Sequence, residues 1–249
     1  MLNKITKLFL ISIFVFSAAS LHAQSSSIEN GISYLESTQA PSGYWGGSTE
    51  AGYSDIVNTC YIADTLRLLG ITDTSYNTAI QWLGNITVTT NNDYLAEDVV
   101  ALANSGVDTT GLINNLIPSE NTDSGWGAGI GFSSDFKRTL LALQALKSVS
   151  YSNMGTISNA LSYLVINQNT DGGWGFYAGD DSNVYMTGLV SYTLQQFPQS
   201  ADTANAINNA TAYLTAHQNS DGGFGSSPST VYETAYNNDT GWAKLSLEK

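Results

Sequence analysis

The chain has 249 residues, with 8 Lys+Arg against 21 Asp+Glu and a formal net charge of −13. Such an acidic balance excludes nucleic acid and anionic membrane surfaces as partners, since both are recognised through basic patches. The single cysteine, Cys60, excludes an internal disulfide, and two histidines exclude a His-rich metal site.

In chain order, residues 1–23 read as an export signal. Lys4 and Lys7 supply the positive start, an apolar run from Leu8 to Phe16 follows, and Leu21-His22-Ala23 forms a small-residue cleavage site before Gln24. The run falls short of the ~20 residues that span a bilayer, although an uncleaved N-terminal anchor is the alternative. The expectation is a single domain over 24–249, secreted or periplasmic, with no stable membrane anchor and an extracellular ligand or protein as partner.

The rest of the chain repeats itself. Gln39 to Gly46 reads QAPSGYWG, Glu120 to Gly127 reads ENTDSGWG, Gln168 to Gly175 reads QNTDGGWG and Gln218 to Gly225 reads QNSDGGFG. Trp126, Trp174 and Phe224 recur at a period of about 50 residues, the signature of a repeat architecture. The wider gap after Trp45 leaves room for a degenerate copy over residues 76–106, its loop replaced by Asn91-Asn92-Asp93.

A helix-period segment precedes each phrase. Ile157, Ala160, Leu161, Leu164 and Val165 form one apolar face, as do Ala206, Ala210, Tyr213 and Leu214, and Ile32, Tyr34 and Leu35 do so less regularly. After each phrase comes Ser, a capping residue, an apolar residue, two variable positions and Thr. The capping residues are Asp55, Asp135, Asn183 and Thr230, and the threonines Thr59, Thr139, Thr187 and Thr234. Asp, Asn and Thr accept the free N–H groups of a first helical turn, so a second helix starts at each. One continues as the almost wholly apolar stretch Leu140 to Leu146; another runs from Val184 to Phe197 and stops before Pro198. The unit is an amphipathic helix, a Gly-rich turn and a more apolar helix, and stacking such units predicts a closed or closing ring. After Tyr236 the pattern fails, so an incomplete ring or a chain fragment stays open.

The strings Asn159-Ala160 with Tyr163-Leu164 to Gln168 and Asp171-Gly172-Gly173-Trp174, and Asn209-Ala210 with Tyr213-Leu214 to Gln218 and Asp221 to Phe224, resemble the QW repeats of squalene–hopene cyclases and the related repeats of prenyltransferase β-subunits. The resemblance covers most of residues 28–245 and implies an all-α fold, the α/α toroid. It implies a structural role for Gln39, Trp45, Trp126, Gln168, Trp174, Gln218 and Phe224.

The resemblance also names chemistry that can be checked. A hopene-type cyclase uses an Asp-x-Asp-Asp acid, and the nearest string here is Gly179-Asp180-Asp181-Ser182. Asp180 and Asp181 could share a proton, or be a solvated loop ahead of a helix. The prenyltransferase zinc set is Asp, Cys and His. Asn58 stands in the Asp place before Cys60, and Met186 stands in the His place. Neutral amide and thioether do not replace those ligands, so no metal and no cofactor is expected.

Three readings compete. The first is a non-catalytic binding or assembly module whose variable positions before each Thr, Asn58, Arg138, Met186 and Glu233, face a common mouth; Arg138 and Glu233 could equally be ordinary solvated charges. The second is an enzyme acting on an isoprenoid in a cavity lined by Tyr61, Phe132, Tyr185, Tyr192 and Tyr236. The third is a carbohydrate-active enzyme using Asp180, Asp181 and Glu233.

Overall fold

Apolar residues at helical spacing, set off by capping residues and glycines, organise the chain into helices. The computed structural model describes residues 26–46, 52–86, 90–220, 222–225 and 243–247, and no strand occurs among them. The helices are α1 (26–38), α2 (Tyr53–Leu68), α3 (Thr74–Asn85), α4 (Asn92–Asn104), α5 (Thr110–Leu116), α6 (Phe136–Ser148), α7 (Met154–Ile166), α8 (Val184–Leu194), α9 (Ala201–Ala216) and α10 (243–247). The export segment, Thr230, Glu233, Thr234 and Tyr236 lie outside the described residues.

Two compact units result, Met1–Asn85 and Ile86–Lys249. In the first, Trp45, Ala63, Leu66, Tyr76 and Ala79 form the core, and Ile32 and Leu35 pack on it. Tyr34, expected on that face, is exposed instead, because it lies a third of a turn off the Ile32–Leu35 stripe. In the second unit α4, α6 and α8 pack in series, α5 lies on α4, and α7 and α9 lie on α6 and α8. The core there is continuous from Ala96 through Leu143 and Trp174 to Ala210. Burial of α8 on nearly all sides matches its all-round apolar sequence.

The helix starts follow from capping chemistry. Asp135 accepts the Arg138 N–H at 2.9 Å and Asn183 accepts the Met186 N–H at 2.8 Å. Asn91 opens α4 by accepting the Asp93 N–H at 2.9 Å, so the degenerate copy does carry two helices, α3 and α4. Two expectations need correction. Helix α2 starts earlier, at Tyr53, which puts Asp55 inside the first turn, where it accepts the Gly52 N–H at 2.6 Å. Helix α8 ends at Leu194; residues 195–197 turn away before Pro198, which disfavours helix in the residue preceding it.

The repeated phrase clamps each pair of helices. The indole N–H of Trp45, Trp126 and Trp174 donates to the carbonyl ten residues earlier, on Leu35, Leu116 and Leu164, at 2.7, 3.1 and 2.8 Å. These carbonyls lie at helix ends, where the backbone N–H four residues on no longer continues the helix; Leu35 and Leu116 also accept the hydroxyls of Thr38 and Ser119. The backbone N–H of the same tryptophans donates to the hydroxyls of Thr59, Thr139 and Thr187, each at 3.0 Å. This explains the repeated threonine: its hydroxyl ties the turn to the following helix. The turn passes through a left-handed residue, Gly172 at φ 88°. A Cβ there would stand 2.6 Å from the Asn209 carbonyl oxygen. The preceding copy makes the same turn with Ser124 at φ 67°, at the steric cost a non-glycine residue carries there.

The glutamine is the second fastener. Gln168 Nε2 donates to the Gly172 and Ala206 carbonyls at 2.8 and 2.9 Å, and Gln39 Nε2 to those of Gly43 and Ser75, both at 2.8 Å. Gln218 donates to Gly222 at 2.9 Å. Glu120 holds this place in the copy before Trp126, where burial raises its pKa, and an ionised carboxylate there has no proton to donate. Glu120→Gln should therefore stabilise the fold at neutral pH by about 1 kcal/mol. Urea unfolding of the two proteins at pH 7.5 checks this, and a lowered midpoint in the variant would refute it.

Candidate functional site

Two turns, residues 127–134 and 175–182, lead from the clamped phrases into α6 and α8. They meet where the Phe136 N–H donates to the Phe176 carbonyl at 3.2 Å. Against them sits Arg138, in the first turn of α6. Its Nε donates to Asp93 Oδ2 at 2.9 Å and its Nη1 to Asp135 Oδ2 at 3.1 Å, while Lys137 Nζ lies 3.6 Å from Asp93 Oδ1. Two cations and two carboxylates thus cancel. Burial alone would lower the Arg138 pKa, but the two carboxylates outweigh it and raise it. Burial raises Asp135, with Arg138 opposing. A recess of about 260 Å³ opens here, lined by Ala128, Phe132, Ser133, Asp135, Arg138 and Tyr177. Fixed charges in such a neutral cluster can orient a ligand.

Behind Phe132 the same turn forms a second, larger depression of about 650 Å³. Its frame is a hydrogen-bond set. Asn121 Nδ2 donates to the Phe132 carbonyl and to Ser134 Oγ, both at 2.9 Å. Asp123 Oδ1 accepts the Gly125 N–H at 3.0 Å and the Ser134 hydroxyl at 2.7 Å. Tyr163, on α7, closes it; burial, reinforced by Asp123 and Asp135, pushes its phenol up to about 12. The next copy repeats the frame with Asn169, Asp171 and Ser182 at nearly the same distances.

The sequence candidates fare differently. Arg138 lines the recess. Met186 does not face a mouth: it is fully buried in the core, because the first turn of α8 is packed on every side at that position. Asn58 is exposed on α2 in the other unit, and Glu233 lies outside the described residues. Asp180 and Asp181 are exposed in the 175–182 turn, where Asp180 Oδ2 accepts the Tyr177 N–H at 3.0 Å. Of the proposed aromatic lining, Phe132 reaches the recess, joined by Tyr177; Tyr185 tilts against Phe176 at 6.4 Å and Tyr192 is half-buried. Tyr61 is exposed on α2. Cys60 is buried, and no group of three His, Cys, Asp or Glu suited to a metal occurs among the described residues. His217 ends α9 with its ring stacked on Tyr213 at 4.0 Å.

One acid escaped the sequence reading. Asp98 is fully buried on α4, and neither of its carboxylate oxygens has a hydrogen-bond partner among the described residues. Burial pushes its carboxyl up to about 7. Counted from the caps Asn91, Asp135 and Asn183, the same position holds Asp98 in α4, Ala142 in α6 and Val190 in α8, all fully buried. An acid at a place where sister helices carry Ala and Val was the available signal, visible only once the caps are placed.

Residues 138–248 match the family model of the squalene-hopene cyclase C-terminal domain. No curated protein matches the chain. Among solved structures, a protein from Actinoplanes is 16% identical over 91% of this chain and 83% of its own, with a TM-score of 0.63. A variant of the type II terpene cyclase MstE from Scytonema, in complex with geranylgeranyl dihydroxybenzoate, is 17% identical over 92% and 73%, with a TM-score of 0.63. A possible member of the GH105 family from Salmonella enterica serovar Paratyphi A is 13% identical over 81% and 72%, with a TM-score of 0.54. These matches bear out the resemblance read from the repeats, and the fold is of the all-α, α/α-toroid class. Among the described residues, no helix is long and apolar enough to cross a membrane.

Proposed function

From a chain with squalene–hopene cyclase-type repeats on an α/α-toroid fold, we propose an exported, non-catalytic binding module that seats its ligand where the turns meet the start of α6. The observation that carries this reading is Arg138, immobilised between Asp93 and Asp135 at the edge of a recess whose other side chains include Phe132 and Tyr177. A guanidinium held by two carboxylates offers fixed geometry and little net charge, which suits recognition. The polar residues of the repeats are engaged in fastening helices, and the acids Asp180 and Asp181 stand in solvent.

The test uses secreted protein, whose intact mass should begin at Gln24. Neutral oligosaccharides, peptides and polyprenyl lipids are screened for a raised unfolding midpoint, and each stabilising ligand is recovered and weighed. The ligand should return unchanged, and Tyr177→Ala should abolish its effect. Recovery of a cyclised, transferred or hydrolysed product would sink the non-catalytic reading.

Asp98 favours a second reading, an enzyme acting on an isoprenoid with Asp98 as proton donor; a structure of similar fold is a terpene cyclase bound to a geranylgeranyl compound. A carboxyl held neutral near pH 7 is suited to donating a proton. Its complete burial, with no open recess among those at the turns reaching it, is why the first reading stands ahead. Conversion of geranylgeranyl dihydroxybenzoate that disappears in Asp98→Asn would reverse that order.

A further inference from the structure

We propose that the 650 Å³ groove behind Phe132 binds a neutral oligosaccharide, with Phe132 and Ile166 as its apolar platform and Asp123, Asn167 and the neighbouring hydroxyls as hydrogen-bonding partners. The inference rests on the binding-module reading and names its ligand class.

The lining decides the chemistry. It holds no lysine or arginine, and the chain as a whole is strongly acidic, so an anionic ligand is repelled. It is too polar for an alkyl chain, which would cover the Asp123 carboxylate and the hydroxyls of Thr122 and Ser133 without water. The apolar part consists of Ala178, Ile166, Phe132 and the ring of Tyr163, with Ile166 and Phe132 77% and 62% exposed. A ligand that is uncharged, rich in hydroxyls and apolar on one face satisfies all three conditions, and a pyranose ring is such a ligand. Aromatic faces take the apolar side of a sugar while amides and a carboxylate take its edge. The volume falls within the range of small-ligand sites. Phe132 and Ser133 line both this groove and the recess at Arg138, so a chain of several sugars can run from one to the other.

The neighbouring repeat is an internal control. It keeps the frame, with Asn169, Asp171, Ser182 and Tyr213 in place of Asn121, Asp123, Ser134 and Tyr163. It replaces Phe132 and Ser133 with Asp180 and Asp181, and Ile166 and Asn167 with Ala216 and His217. A conserved frame with an altered platform is how repeats divide scaffold from recognition. It also accounts for the Asp180–Asp181 pair as the counterpart of the platform, placed in a copy that lacks one.

The test titrates the full secreted chain with linear hexaoses of β-1,4-glucose, α-1,4-glucose, β-1,3-glucose, β-1,4-mannose and β-1,4-xylose, followed by ligand-observed NMR. At least one should bind, and Phe132→Asp and Ile166→Ala should each weaken it at least tenfold. Phe132→Asp copies the sister repeat and both side chains are exposed, so unfolding midpoints should be unchanged. Binding by none of the five, or binding indifferent to Phe132→Asp in a folded variant, overturns the inference. If a peptide or polyprenyl lipid instead stabilises the protein through Tyr177, the glycan inference fails and the binding-module reading stands. If a hexaose is bound through Phe132 but cleaved, the site stands and the non-catalytic reading fails.

Discussion

Trp174→Ala should destabilise the protein by roughly 3–5 kcal/mol, the range for emptying a fully buried aromatic site. Trp174 has no solvent-exposed surface and sits in the continuous core with Leu164 and Val190. The loss has two parts. The ring leaves a cavity among α7, α8 and their turn, and the Leu164 carbonyl loses the indole donor that reaches it at 2.8 Å. Trp174→Phe separates them, because the chain already uses Phe224 at the equivalent place in the last phrase. That variant keeps most of the packing and should cost only about 1–2 kcal/mol, mostly for the missing donor. Urea unfolding followed by far-ultraviolet circular dichroism gives both values. Equal losses in the two variants would show that the hydrogen bond, and not the ring volume, fastens the turn. An unchanged midpoint with lost ligand binding would make Trp174 a ligand contact.

Asp98→Val should stabilise the protein, and more so as pH rises. The folded state keeps the Asp98 proton up to about pH 7, whereas an unfolded aspartate loses it near pH 4. Below pH 4 both states are protonated and the group adds no pH dependence. Between pH 4 and 7 the unfolded chain ionises while the folded chain does not, so the stability of the wild type falls with rising pH. Above pH 7 the loss is complete and levels off. A shift of about three units corresponds to about 4 kcal/mol as an upper figure, and relaxation around the carboxylate reduces it to an expected 2–4 kcal/mol. Val190 shows that the equivalent place in α8 accepts valine without exposure. Unfolding free energies of wild type and Asp98→Val at pH 4, 6 and 8 should therefore diverge. A wild type with flat stability across that range, together with a destabilised variant, would mean that Asp98 is hydrated or liganded in the folded protein, and would strengthen the enzyme reading.

Much of the scaffold was legible in the chain. The caps Asp135 and Asn183, the apolar faces of α7 and α9, and the degenerate copy around α3 and α4 are local matters of spacing and capping chemistry, and they stand where spacing put them. The cap lies three residues before Asp55 because Gly52 can itself open a helix and Asp is favourable inside the first turn. The candidate site was less legible. Arg138 was singled out as a variable position, but its ties to Asp93, 45 residues away, are not written in any local pattern. Tyr177 was passed over because a single aromatic in a glycine-containing turn looks the same whether it meets solvent or a neighbouring turn.

By itself the sequence determined the repeat, the all-α class and the acidic net charge, because periodicity, capping and charge are sums over residues. Tertiary structure alone decided what each repeated residue is for. Thr187 became the acceptor for a tryptophan 13 residues earlier, Met186 became core, and Asp98 became a sealed acid where Ala142 and Val190 stand in its sister helices. The physical reason is that burial and hydrogen-bond partnership depend on which helix faces meet. In a repeat protein the same local sequence meets a different neighbour in every copy.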